Sequence, residues 1–167
     1  MAADIPSTPA DGNVKIAFVP TLADPTAPTV SELTGAGVID LSCYLTSDGW
    51  TPGLDEQVIS DDRLCSVQTF EQPGRSSRTL AIKYVENPGS ATDNKAFDTL
   101  APGTSGYLVE RRGKSKDTAF AASDDVNVWP GKAGQYDPQP PEANSVLKVA
   151  QKWFVTGTVH IGATVGA

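Results

Sequence analysis

Apolar residues in this chain recur at every second position, and they do so in short runs. Val14, Ile16 and Phe18 alternate with Lys15, Ala17 and Val19, and Leu80, Ile82 and Tyr84 alternate with Ala81, Lys83 and Val85. Near the end, Val159, Ile161, Ala163 and Val165 alternate with Thr158, His160, Gly162 and Thr164. A period of two is that of a half-buried strand. Between the runs stand turn residues, drawn from 15 Gly and 13 Pro. Many short strands joined by turns predict a mainly β protein, a sandwich or barrel-like fold with one short flanking helix.

Strands are expected at Val14–Val19, Val38–Leu45, Ser77–Val85, Gly106–Arg112, Val126–Trp129, Gly134–Asp137, Val146–Thr156 and Thr158–Val165. The acidic Leu54–Val67 stretch reads as one irregular strand or two short pieces, with turns at Asp48–Gly53 and at Pro73-Gly74. Thr29 followed three residues later by Glu32 fits a capping box, and Gly35 and Gly37 stop that helix after about one turn. A second helix is expected over Asp93–Leu100, capped by Asp93, with Ala96, Phe97 and Leu100 as its apolar stripe. Residues 1–13 lack apolar periodicity and read as a loose arm, and 14–167 as a single domain.

The stretch Val146–Thr156 carries aromatics on both faces. Trp153 shares a face with Leu147, Val149 and Val155, whereas Phe154 falls among Lys148, Lys152 and Thr156. Trp153 is therefore expected in the core, and Phe154 against a covering helix or another subunit.

The net charge of −7 disfavours nucleic-acid binding as a main task, because phosphates reward basic surfaces. That charge is unevenly spread. Residues 1–66 sum to −8 and residues 67–116 to +3. The acidic residues Asp55, Glu56, Asp61 and Asp62 and the basic run Arg111, Arg112, Lys114 and Lys116 are thus candidates for complementary surfaces between copies.

Reactive constellations are lacking. The single histidine, His160, has no visible nucleophile or orienting acid, and with Cys43 and Cys65 it gives no metal-ligand spacing. Asp61-Asp62 and Asp124-Asp125 lie outside any glycine-centred calcium loop. GTSG at 103–106 and GKAG at 131–134 lack the phosphate-loop pattern. No enzyme activity, cofactor or metal is expected. Two cysteines make no disulfide framework and fit a reduced, non-exported protein. No signal peptide and no membrane span are expected.

The order of segments resembles a family. KIAFVP is followed by TVSELTGAGVIDLSCYL, the acidic GWTPGLDEQVISDDRL, RTLAIKYVENPG, the helix DNKAFDTL, GYLVERRG and the closing NSVLKVAQKWFVTGTV. Together, over roughly Val14–Thr164, these resemble the major tail tube proteins of long-tailed bacteriophages, particularly the compact type of phages of actinobacteria. The resemblance implies a structural virion protein whose hexameric rings stack into the tube that conducts DNA during ejection. It implies self-association and contacts with tail tip, tape measure and tail terminator proteins, with genomic DNA passing the lumen without specific binding. Assembly would occur in the host cytoplasm. Leu54–Leu64 and 1–13 match the parts expected at ring–ring contacts, and no catalytic residue carries over. The alternative reading is a surface β-sandwich module that binds host carbohydrate or protein.

Overall fold

The structure is a computed structural model and describes residues 5–167. Strands β1 (Val14–Val19), β2 (Ile39–Asp40), β3 (Leu45–Asp61) and β4 (Phe70–Val85) are followed by β5 (Ser105–Arg112) and β6 (Asp125–Ala133). Then come β7 (Asp137–Pro138), β8 (Lys148–Val155) and β9 (His160–Thr164). All pair antiparallel in one sheet, ordered β2-β1-β5-β6-β8-β4-β3, with β7 beside β8 and β9 beside β6.

The sheet is not flat. Phe18 on β1 and Trp153 on β8 lie three strands apart in the order, yet their ring centroids are 6.4 Å apart and set edge to face. Trp50 on β3 and Trp129 on β6, also three strands apart, meet at 6.2 Å. Neighbouring strands are about 4.8 Å apart, so such contacts require the sheet to curl over on itself. β6 is the fold line. Its first half pairs with β9 through Asp125–Val128, and its second half pairs with β8 through Gly131–Ala133.

The curl encloses the larger core of Ile16, Phe18, Leu80, Ile82, Tyr84, Leu108, Trp129, Val149 and Trp153, closed at one side by Ala96 and Leu100. A second core lies on the opposite face of β1, β5 and β6, where Ala17, Val19, Val109, Val126 and Val128 pack against Leu33, Phe120, Ala163 and Val165. Val14–Val19 thus buries both faces at its end, which explains the apolar Ala17 and Val19 on its "polar" side.

Two short helices flank the sheet. Helix α1 (Val30–Thr34) begins with the expected box: the Glu32 amide donates to Thr29 Oγ1, and the Thr29 amide donates to Glu32 Oε2. Helix α2 (Lys95–Thr99) is shorter than expected, and Asn94 rather than Asp93 stands at its N-cap. Asp93 instead accepts from Ser90 Oγ, and the Asn94 side chain accepts from the Asn87 amide. Phe97 stacks on Tyr136 at 4.1 Å.

Several boundaries differ from the sequence reading. Asp48–Gly53 and Pro73-Gly74 are not turns but lie inside β3 and β4, whose turn is the 62–69 loop. β4 has β8 as its second partner only from Leu80 to Val85. Before that, each strand of the β3–β4 pair has an open edge, the setting that tolerates a proline such as Pro73. The expected Val38–Leu45 and Gly134–Asp137 strands shrink to β2 and β7. In β9 the alternation breaks at Gly162, whose φ of +72° accompanies a register shift against β6 and leaves Ile161 exposed.

Trp153 is fully buried, and its indole N–H donates to the Trp129 carbonyl at 3.2 Å. Gly131 makes room for it: a Cβ there would collide with the indole and with the Phe154 carbonyl. Phe154, by contrast, is 49% exposed, with Lys152 Nζ over its ring. Trp153→Ala should therefore lower protomer stability by about 3–5 kcal/mol, the usual result of truncating a buried large aromatic. Phe154→Ala should change it by less than about 1 kcal/mol, as surface substitutions do. Denaturant unfolding of the two protomers checks the contrast; equal losses would place both side chains in the core.

Candidate assembly surface

Beyond Thr79, the hairpin β3–β4 leaves the sheet and continues as a two-stranded arm, with register pairs running from Leu54↔Arg78 to Asp61↔Phe70. At about 3.3 Å per residue, Gly53–Asp61 projects roughly 26 Å. Among the described residues, no third strand or helix covers it. Leu54, Val58, Ile59 and Phe70 are about half exposed, and Leu64 and Val67 in the tip loop are fully exposed. A two-stranded ribbon is marginal by itself in water, so exposed apolar residues spaced along it mark a surface that gains stability when covered.

Charge is interleaved with these residues. Asp55 and Glu56 are exposed on the arm, and Asp62 is exposed in its loop. Asp61 accepts hydrogen bonds from both Nε and Nη2 of Arg63. A register shift between Glu56 and Val58 interrupts the ladder. Bulges and charged side chains of this kind keep an open edge from pairing indiscriminately.

The basic run divides. Arg111 is buried inside the protomer, not displayed on its surface, which corrects its expected place in a contact between copies. Its guanidinium donates to Asp124 Oδ2 at 3.0 Å and to the carbonyls of Ala119, Ser115 and Thr118. Phe120 covers the group at 5.2 Å. The +3 of the middle region is thus partly neutralised internally, since Asp124 also receives Lys114. Arg112 remains open, with 71% of its side chain exposed and Glu110 at 3.7 Å; Lys116 pairs with Asp117 at 2.6 Å.

Arg112 and Lys116 border a groove of about 610 Å³ at the root of β1. Val14, Ile16, Leu45 and Trp50 supply apolar walls, and Cys43 stands at its side. A second groove of about 630 Å³ lies at the base of the arm, between Pro52, Leu80, Ala81 and Phe154. The exposed apolar tip, the open thiol of Cys65 and both grooves escape sequence reading, because they depend on where the hairpin turns. Leu64 and Val67 inside an acidic stretch were the available signal.

Among the described residues, no three His, Cys, Asp or Glu side chains gather as a metal site. Among the same residues, no helix is long and apolar enough to cross a membrane. His160 is half-buried on β9, where its register partner is Val128.

A family model described as "Phage tail tube protein" matches residues 1–167. The chain belongs to the phage tail tube protein family. As a tail tube family member it is a structural component of the virion tail, and assembly with itself and other tail proteins follows from that membership. No curated protein matches the sequence. Among solved structures, a chain of the anti-feeding prophage baseplate, determined by cryo-EM with 6-fold symmetrisation, has the same fold. It aligns with a TM-score of 0.54 at 10% identity, covering 92% of this chain and 95% of that one.

The buried pair has a consequence for this tail tube protein. Burial pushes the Asp124 carboxyl up, but hydrogen bonds from Lys114, the Ala121 amide and Arg111 outweigh it and hold the group below the ordinary 3.8. Its contribution to stability is therefore complete above that value and is lost as pH falls through the lowered folded-state pKa. Asp124→Ala should cost about 3–5 kcal/mol by leaving Arg111 buried without its counter-charge. It should also flatten the acid limb of the stability curve. Urea unfolding from pH 7 to pH 2 measures both; an unchanged acid limb would show that other carboxylates control it.

Proposed function

We propose that this protein forms the wall of a phage tail tube by closing into hexameric rings that stack, and that the genome passes along the lumen during ejection. The observation that carries the reading is the arm from Leu54 to Arg78: a projecting ribbon, apolar at its tip, that the protomer itself does not cover. Such a ribbon is a liability in a monomer and an assembly contact in a polymer. The outer edge of β3 supports the same reading, since a closed ring removes lateral edges and a heterologous axial contact propagates.

In this reading Asp55, Glu56, Asp61 and Asp62 belong to the axial contact, together with Arg112, Lys114 and Lys116 on the receiving copy. Phe154 belongs to a contact within the ring. The tip, tape measure and terminator proteins meet the ends and the interior of the tube, and assembly takes place in the host cytoplasm before the tail joins the virion. DNA slides without specific binding, consistent with a net charge of −7 that repels phosphate.

Purified protein, alone and with tail-tip components, should form rings and tubes visible by negative-stain electron microscopy. Persistence as a monomer at high concentration across a range of salt would overturn the proposal, and glycan binding by that monomer would point to a surface-binding module instead.

A further inference from the structure

The sequence contains two Asp-Gly steps, Asp11-Gly12 and Asp48-Gly49. At such a step the glycine amide nitrogen can attack the aspartate Cγ, because no Cβ shields it. The amide proton and the carboxyl hydroxyl leave together as water, and a five-membered succinimide closes. Water then opens the ring at either carbonyl. One opening restores aspartate; the other gives isoaspartate, whose main chain runs through Cβ and is one carbon longer. Independently of the tube-wall reading, we infer that Asp11-Gly12 is the site of this spontaneous modification in the folded protein, and that Thr46 and Lys83 protect Asp48-Gly49 from it.

The two steps differ in what holds the carboxylate. Asp48 Oδ1 accepts from Thr46 Oγ1 at 2.7 Å, and Oδ2 accepts from Lys83 Nζ at 2.6 Å. The hydrogen bond from Lys83, and after it that from Thr46, pulls the Asp48 carboxyl down from 3.8 to about 2. An ionised carboxylate has no hydroxyl to release as water, so favouring the charged form slows ring closure. Tying both oxygens also restrains the rotation that would turn Cγ toward the Gly49 nitrogen. Asp11 has neither restraint. It is exposed, and among the described residues no hydrogen bond or ion pair holds its carboxylate. The step is the centre of a turn closed by the Asn13 amide on the Ala10 carbonyl, and among the same residues the Gly12 amide donates to no backbone carbonyl.

The fold cannot escape the second step by replacing its glycine. A Cβ on Gly49 would come within 2.0 Å of the Lys83 carbonyl oxygen and 2.8 Å of the Thr46 nitrogen. An isoaspartate at Asp48 would lengthen the chain directly before Trp50, where regular pairing of β3 with β4 resumes and the indole packs on Trp129. The step that the sheet must keep is the one that is clamped.

The test is peptide mapping of purified protein aged at 37 °C and pH 6, with chromatography separating isoaspartyl peptides of unchanged mass. In the folded protein, isoaspartate should accumulate at Asp11 about tenfold faster than at Asp48, following the smaller protonated fraction at Asp48. In chain unfolded by guanidinium the two rates should converge. Lys83→Met, checked for an unchanged unfolding midpoint, should raise the Asp48 rate about tenfold and leave the Asp11 rate alone. Lys83→Arg keeps the charge and should keep the Asp48 rate low. If Lys83→Met fails to fold, Thr46→Val takes its place, with a rise at Asp48 expected again. Equal rates at the two steps in the folded protein would overturn the protection. So would a difference that persists in guanidinium, since that would put its cause in the neighbouring residues. An Asp48 rate unmoved in the folded variant would overturn it as well.

Discussion

The curl of the sheet depends on Trp153. Its indole reaches across the inside of the curve to Phe18, and its N–H is bound by the Trp129 carbonyl on β6. A flat antiparallel sheet of these strands would leave that side chain in water, and with it Leu80, Ile82 and Val149. Curling brings the β1 and β8 faces together around it, and Gly131 leaves out a side chain that would collide with the indole. Gln151 is matched within this core: it donates to the carbonyls of Leu100 and Gly134 and accepts from the Tyr84 hydroxyl. That side chain ties α2 and the β6–β7 connection to the same strand that carries Trp153. Burial also pushes the Tyr84 hydroxyl well above the usual tyrosine range, so it remains a donor.

The second constraint is the buried guanidinium of Arg111. A buried pair of charges contributes little net stability, but a single charge left alone is costly. Arg111 therefore fixes where the 113–124 loop must run, because four of that segment's oxygens are aimed at it. The loop in turn places Phe120 against the second core and leaves Lys116 beside Arg112 at the surface. One internal ion pair thus sets the outline of a surface groove.

Local periodicity made much of this legible. Val14–Val19 and the Thr29 capping box stand where the residues indicated, and Trp153 and Phe154 separate as their register requires. What the sequence concealed follows from long-range pairing. Pro73-Gly74 carries turn chemistry, yet the chain continues through it because an open-edged ribbon requires no donor there. Arg111 reads as part of a basic surface run because its counter-charge, Asp124, lies 13 residues away. Ile161 reads as core until Gly162 shifts the register. In each case the local signal was sound and a distant partner determined the outcome.

An assembly arm must be adhesive to its partner and inert toward everything else before it arrives. Apolar side chains alone would satisfy the first demand and fail the second, because an exposed edge of Val and Ile pairs with any other such edge. Here several apolar positions lie beside a charge: Leu54 precedes Asp55 and Glu56, Leu64 follows Arg63, and Phe70 precedes Glu71. Asp55 and Glu56 are exposed in the free protomer, and bringing them against charges of the same sign is unfavourable. A contact between two different surfaces repeats with a single polarity, whereas a contact between like surfaces closes on itself as a dimer.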